Sequence, residues 1–173
     1  MNRAFRIAFH TCIMLSLVAL VGCSDDDTAT PAAPAPEPAA GGTVGIYTNA
    51  AGTNRDIVDN GGTVTLYVVH KITNSCISSQ FRIEEPEGWT LIGADHQYDL
   101  HLGDFEHGIA YAYGSCTSGT LHLATLTYQA PGNSAGSTFK VVEQDNETPL
   151  QVIDCSDNRI TDCVGLTSMV SAP

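Results

Sequence analysis

Between residues 95 and 107 the chain gathers Asp95, His96, Asp99, His101, Asp104, Glu106 and His107. Carboxylate and imidazole together are the donor types that zinc and copper take, and in an extended segment Asp99 and His101 would share a face. A small exported metal-dependent or hydrolytic enzyme would use such a stretch. Its spacing, however, fits no H-E-x-x-H or comparable ligand template, and a polar loop between strands carries the same residues for solubility. The loop reading is the one adopted, with no metal, cofactor or catalytic residue assigned.

The remaining reactive side chains lead to the same reading. His70 falls on the inward parity of its segment and His122 faces out from between Leu121 and Leu123, positions of a packed and a cross-strand histidine. Asp154, Asp157, Asn158 and Asp162 cluster, but the segment lacks the ligand spacing, the Gly at position 6 and the Glu at position 12 of an EF-hand. Glu84, Glu85 and Glu87 could in principle supply paired carboxylates for glycoside hydrolysis, yet beside Pro86 and Gly88 they read as a solvated turn. Trp89, Tyr111 and Tyr113 could stack on a sugar, but Tyr111 and Tyr113 share the parity of Ile109 and are expected in a core. No G-x-S-x-G elbow and no Gly-rich phosphate loop is present.

Cysteine carries more information. Of six, Cys12 and Cys23 lie near the N-terminus, which leaves Cys76, Cys116, Cys155 and Cys163. An even number in an exported domain reads as two disulfides with three possible connectivities; a four-cysteine zinc site would want a C-x2-C knuckle, which is missing. A hairpin returning the chain to one end of a sandwich favours Cys116 with Cys155 and Cys76 with Cys163.

Export is read from the first 23 residues. Arg3 and Arg6 form a positive n-region and Ile7 to Val21 an apolar h-region, as an export signal requires. The run is broken by His10, Thr11 and Ser16 and followed at once by Asp25, Asp26 and Asp27, which disfavours a spanning helix. Its close, Leu20-Val21-Gly22-Cys23, resembles a bacterial lipobox, which implies cleavage before Cys23 and acylation of that cysteine. Similar lipoproteins with serine in the next position, here Ser24, go to the outer membrane of hosts that have one. The expected location is therefore the bacterial cell envelope, with the lipid as the only membrane contact.

Residues 1–22 are thus expected to be the signal peptide, 23–42 a disordered tether and 43–173 the domain. The tether is almost wholly Ser, Asp, Thr, Ala, Pro, Glu and Gly, with Pro31, Pro34, Pro36 and Pro38 at extended-linker spacing; such a composition cannot bury enough apolar area to offset its ordering entropy. Loss of Arg3 and Arg6 leaves five basic against 19 acidic residues, a mature net charge of −14. A surface so acidic repels phosphate backbones and disfavours nucleic acid as a partner.

After the tether the periodicity is two. Val64, Leu66, Val68 and Ile72 alternate with Thr63, Thr65, Tyr67 and Lys71; Phe81 and Ile83 alternate with Gln80, Arg82 and Glu84. Further strands are expected at Val44 to Tyr47, Gly108 to Tyr113, Thr120 to Gln129, Thr138 to Glu143, Leu150 to Ile153 and Leu166 to Val170. Turns are expected at residues 59–62, 114–115, 131–133 and 157–158. No helical apolar stripe of ten residues occurs. The prediction is all-β: one antiparallel β-sandwich, jelly-roll or Ig-like, of about seven to nine strands.

The order TVTLYVVHKIT, SSQFRIEE, WTLIGA and GTLHLATLTYQA resembles cohesin domains over Val44 to Val142. That resemblance implies a nine-strand jelly roll. Cohesins bind dockerin modules in cellulose-degrading assemblies; here the four domain cysteines depart from the usual cohesin pattern. The functional expectation is a lipid-anchored, surface-displayed binding module without catalytic activity, taking an extracellular protein or carbohydrate ligand.

Overall fold

The clean alternation that begins at Thr63 does not stop at Ile72. In the computed structural model, which describes residues 40–144 and 150–173, strand β3 runs Thr63–Glu84 and its partner β6 runs Gly108–Gln129. The expected signal peptide, Cys23 and the tether up to residue 39 lie outside the described residues. Around the two long strands stand β1 (Thr43–Tyr47), β2 (Ile57–Val58), β4 (Thr90–His96), β5 (His101–Asp104), β7 (Thr138–Val142), β8 (Gln151–Asp154), β9 (Ile160–Asp162), β10 (Val164–Gly165) and β11 (Thr167–Ser171). The protein is an all-β sandwich.

Two of the expected strand pairs prove to be single strands. The chain from Thr63 to Glu84 and that from Gly108 to Gln129 pair antiparallel along their whole length, with register slips at Val68/Val69, Ile72/Cys76 and Cys76/Ser78. Gly114 and Gly119 take φ of 75° and 87° in the same zone, a conformation in which a side chain would be strained. The expected turn at Gly114-Ser115 is therefore a bend inside β6: bulges and glycines turn both strands without breaking the ladder. One half of each ribbon pairs with β1 and β4, the other with β5, β7 and β8. Short pairings at β2, β9 and β10 bring the total to eleven strands, above the seven to nine expected.

The inward rows of these two halves make one core. Leu66, Val68, Leu126 and Tyr128 come from one layer, Phe81, Ile109, Tyr111, Phe139 and Val152 from the other, all 2% exposed or less. Each large apolar side chain removed from water contributes about 1.5–3 kcal/mol. Trp89 stands edge-on to Phe139 at 5.0 Å and to Tyr128 at 6.0 Å, its Nε1 donating to Ser134 Oγ at 2.8 Å. It is a core residue with a satisfied polar end.

Asp59 closes the end of the sandwich near Trp89. It is buried, and its carboxylate accepts from Gly61 N (3.1 Å), Gly132 N (2.7 Å), Ser134 N (2.8 Å) and Ser134 Oγ (2.5 Å). Burial raises its pKa, but these bonds favour the charged form more and hold it at about 2. The turns at 59–62 and 131–134 are thereby tied to each other.

The ordered chain begins before Thr43. Gly41 N donates to Asp162 O, Gly42 O accepts from Val164 N, and Ala40 O accepts from Asn74 N. Gly42 has φ 85°, and a Cβ there would collide with the Lys71 carbonyl. The last residues of the expected tether are thus seated in the domain. Among the described residues no helix is long and apolar enough to cross a membrane.

Candidate interaction face

Strand register builds one outward surface from β5, β6, β3, β8 and β9. Leu102 stands opposite Ala110, Ala110 opposite Gln80, and Gln80 opposite Gln151. One pleat away, Ala112, Ser78, Ile153 and Ile160 form a parallel row, with Ala112 N donating to Leu100 O at 3.0 Å. Directly paired residues share a face and neighbours alternate. The interleaved row Tyr111, Ser79 and Val152 is buried, so the first two rows must point to solvent.

The result is a shallow trough with two apolar lips. Leu100 and Leu102, 63% and 73% exposed, line the β5 edge; Ile160, 64% exposed, stands at the β9 edge. Between them the floor is mostly small or polar: Ser78, Gln80, Ala110 and Gln151 enclose about 220 Å³ together with the apolar Ile153 and Ile160. Exposed apolar side chains that converge on one face mark an interaction surface. Asp104 and Glu106 lie at the β5–β6 turn; on the other side Asp162 is on β9 opposite Gln151, Asp154 ends β8, and Asp157 lies in the β8–β9 turn.

The segment 95–107, expected as a polar loop, contains part of this face. Residues 97–100 cross from β4 to β5, His101–Asp104 is β5 itself, and residues 105–107 form the turn into β6. His96 and His101 stack with ring centroids 3.9 Å apart and planes 14° from parallel, and His96 also stacks with Phe105 at 5.5 Å. His96 Nδ1 is 2.6 Å from the Tyr111 hydroxyl, while His101 Nδ1 donates to Tyr98 O at 3.1 Å. His107 is elsewhere, paired with Asp104 at 3.0 Å and open to solvent. Among the described residues no group of three or more His, Cys, Asp or Glu is disposed to hold a metal.

Other sequence candidates are engaged in packing. His70 is fully buried between the Gly41 carbonyl (2.9 Å from Nε2) and the Tyr113 hydroxyl (2.9 Å from Nδ1). Burial lowers its pKa to about 4, against the opposing pull of the Gly41 carbonyl. A carbonyl only accepts, so the ring is the Nε2–H tautomer. His122 is half-buried against Tyr67, with Thr125 Oγ1 3.1 Å from its Nε2. Glu84 pairs with Arg82 at 2.9 Å, and Glu85 accepts from the Tyr128 hydroxyl at 2.7 Å. Asp154 holds Ser156 through its backbone and hydroxyl, and Asp157 pairs with Arg159.

The cysteines divide unequally. Cys116 and Cys155 form a disulfide across a Cα separation of 5.7 Å. Their neighbours Thr117 and Asp154 are both register partners of Cys76, and Cys155 N donates to Ser75 O; the bridge therefore clamps the two strands that flank β3. The second expected bridge is absent, and Cys76 and Cys163 are buried free thiols. Cys163 Sγ is 3.2 Å from Gly42 O and 3.8 Å from His70 Nε2. Burial pushes Cys76 up to about 11, with Asp154 adding to it, and Cys163 up to about 12, so both stay protonated and unreactive.

Sequence reasoning missed Leu100, Leu102 and Ile160 as site residues. The Leu-His-Leu alternation at 100–102 was the available signal, hidden among the charges around it.

The architecture is that of cohesin modules. The third ScaB cohesin of R. flavefaciens, solved in complex with a group 1 dockerin, superposes with a TM-score of 0.53 at 10% identity, over 75% of this chain and 94% of that one. The non-cellulosomal cohesin of the hyperthermophilic archaeon Archaeoglobus fulgidus gives 0.50 at 12%, over 74% and 89%. The cohesin of the Coh-OlpA-Doc918 complex from Clostridium thermocellum gives 0.50 at 12%, over 76% and 99%. At such identities the likeness is one of fold. No protein-family profile and no curated protein matches the sequence.

Proposed function

We propose that this is a lipid-anchored, envelope-displayed protein-interaction module without catalytic activity. The single observation that carries the docking reading is the apolar-lipped trough on the outward face of β5, β6, β3, β8 and β9, whose exposed leucines and isoleucine no packing among the described residues explains. Two of the superposed cohesins were solved as complexes with dockerins, which supports an extracellular protein as the partner. The acidic residues at the ends of β5, β8 and β9 favour a partner segment that carries an apolar anchor flanked by basic residues. Display is supported separately by the lipobox-like Leu20-Val21-Gly22-Cys23 and the Pro-rich segment that follows it.

A panel of purified dockerin modules, passed over the immobilised mature chain, tests this. At least one should bind, and Leu102→Asp with Ile160→Asp should weaken it tenfold or more, the scale of losing central contacts, without lowering the melting temperature. Equal binding by the two proteins, or no dockerin bound by the wild type, would overturn the assignment.

A further inference from the structure

We propose that the stacked imidazoles of His96 and His101 are an acid-sensitive latch that holds the 97–100 crossover, and with it Leu100 at the β5 lip, against the sandwich. His101 Nδ1 faces the Tyr98 carbonyl at 3.1 Å, so it must carry the hydrogen, and the free basic nitrogen is Nε2. His96 Nδ1 lies 2.6 Å from the Tyr111 hydroxyl and, in the neutral ring, accepts its proton. Two neutral rings can stack at 3.9 Å. Two imidazolium rings at that distance repel, in a place where Phe105 and Tyr111 limit access of screening water.

The surrounding charges do not rescue the doubly protonated pair. Asp95 on β4 is the nearest counter-charge and favours protonated His96, but burial and His101 outweigh it and lower the pKa of His96. Gln97 Nε2 already donates to Asp95 at 3.3 Å, and Asp104 on β5 is taken by His107. Tyr98 and Asp99 in the crossover and Glu106 at the β5–β6 turn complete the titratable groups nearby in the fold. Histidine is the residue whose charge changes between pH 5 and 8.

Little else secures the crossover. Gln97 N donates to Leu123 O at 2.9 Å, Ala112 N to Leu100 O at 3.0 Å, and the Tyr98 ring packs on Tyr113 at 5.1 Å. Separating the two rings pulls on the first two bonds directly, because His96 precedes Gln97 and His101 follows Leu100. Acid therefore frees the 97–100 crossover and Leu100 while β5, held by its ladder with β6, and the rest of the sandwich stay folded. The consequence for docking rests on the reading above; the latch itself does not.

Amide hydrogen exchange on the mature chain, corrected for the intrinsic pH dependence, tests it between pH 7.5 and 5. Protection of Gln97 and Ala112 should fall about fivefold or more below pH 6, a local opening, while Ala130, bonded to Gly62 O, keeps its protection. In His101→Gln that loss should vanish. Independently, NMR titration of the wild type should show one of the two rings still neutral after the other has protonated. Uniform loss at all three amides, the same loss in His101→Gln, or two independent titrations would each overturn the latch. If the latch opens and partner affinity is the same at pH 5 and 7, the docking assignment of this edge fails and the latch stands.

Discussion

A single carboxylate shows how much of this fold hangs on polar groups that hydropathy treats as surface. Asp59 is 1% exposed and accepts four hydrogen bonds, two of them from Ser134. Its folded pKa, about 2, lies below the ordinary 3.8, so it stabilises the fold above the ordinary carboxylate value, and that contribution is lost as pH falls through about 2. Asp59→Asn should therefore lower the melting temperature at pH 7, with a difference from wild type that narrows between pH 4 and 2. A constant difference over that range in scanning calorimetry would contradict the assignment. In sequence, Asp59-Asn60-Gly61-Gly62 was legible as a turn, but nothing local showed that its first residue accepts from Gly132 and Ser134, more than seventy positions later.

At the scale of elements, the clamp across β3 separates the two kinds of cysteine. Reduction of Cys116–Cys155, which closes a sequence separation of 39 residues, should cost about 4 kcal/mol on the chain-entropy account and shift the melting temperature by many degrees. Denatured without reductant, the domain from residue 40 onward should take up two thiol labels, at Cys76 and Cys163, and none when native. Absence of label in the denatured protein would show that those two thiols pair. Cysteine parity and the expected return of the chain anticipated Cys116–Cys155. They misplaced Cys163, because β9 and β10 carry it to the edge of β1, where Gly42 and His70 receive it. The β5 strand was likewise hidden: three of the four residues before it and its own first and last members are polar or aromatic, and only pairing with β6 makes it extended.

For the whole molecule the decisive quantities are charge, anchor and reach. On the proposed lipoprotein reading, loss of Arg3 and Arg6 would leave a net charge of −14, which would keep the domain off anionic headgroups and make a lipid on Cys23 the membrane contact. Wild-type chain expressed in a bacterial host should partition into detergent and incorporate labelled fatty acid; Cys23→Ser should do neither. Unchanged acylation in that variant would remove the anchor. If Cys23 is the anchor, the Pro-rich residues that follow it, at roughly 3 Å each when extended, would give the proposed interaction face a reach of several nanometres from the bilayer.

Period-two alternation and glycine-punctuated turns determined an all-β sandwich from sequence alone, because a half-buried strand must place every second side chain in the core. The same local rule placed His70, Tyr111 and Tyr113 inside. It could not say that the strand at Thr63 and the one at Gln80 are a single bent strand, since a bulge leaves little mark on composition. Nor could it find the trough: Leu100, Leu102, Ile153 and Ile160 come from three strands and one crossover, and each alone is an ordinary exposed apolar residue. Only the register of β5, β6, β3, β8 and β9 brings them onto one face, and register is decided by which rows the assembled core buries.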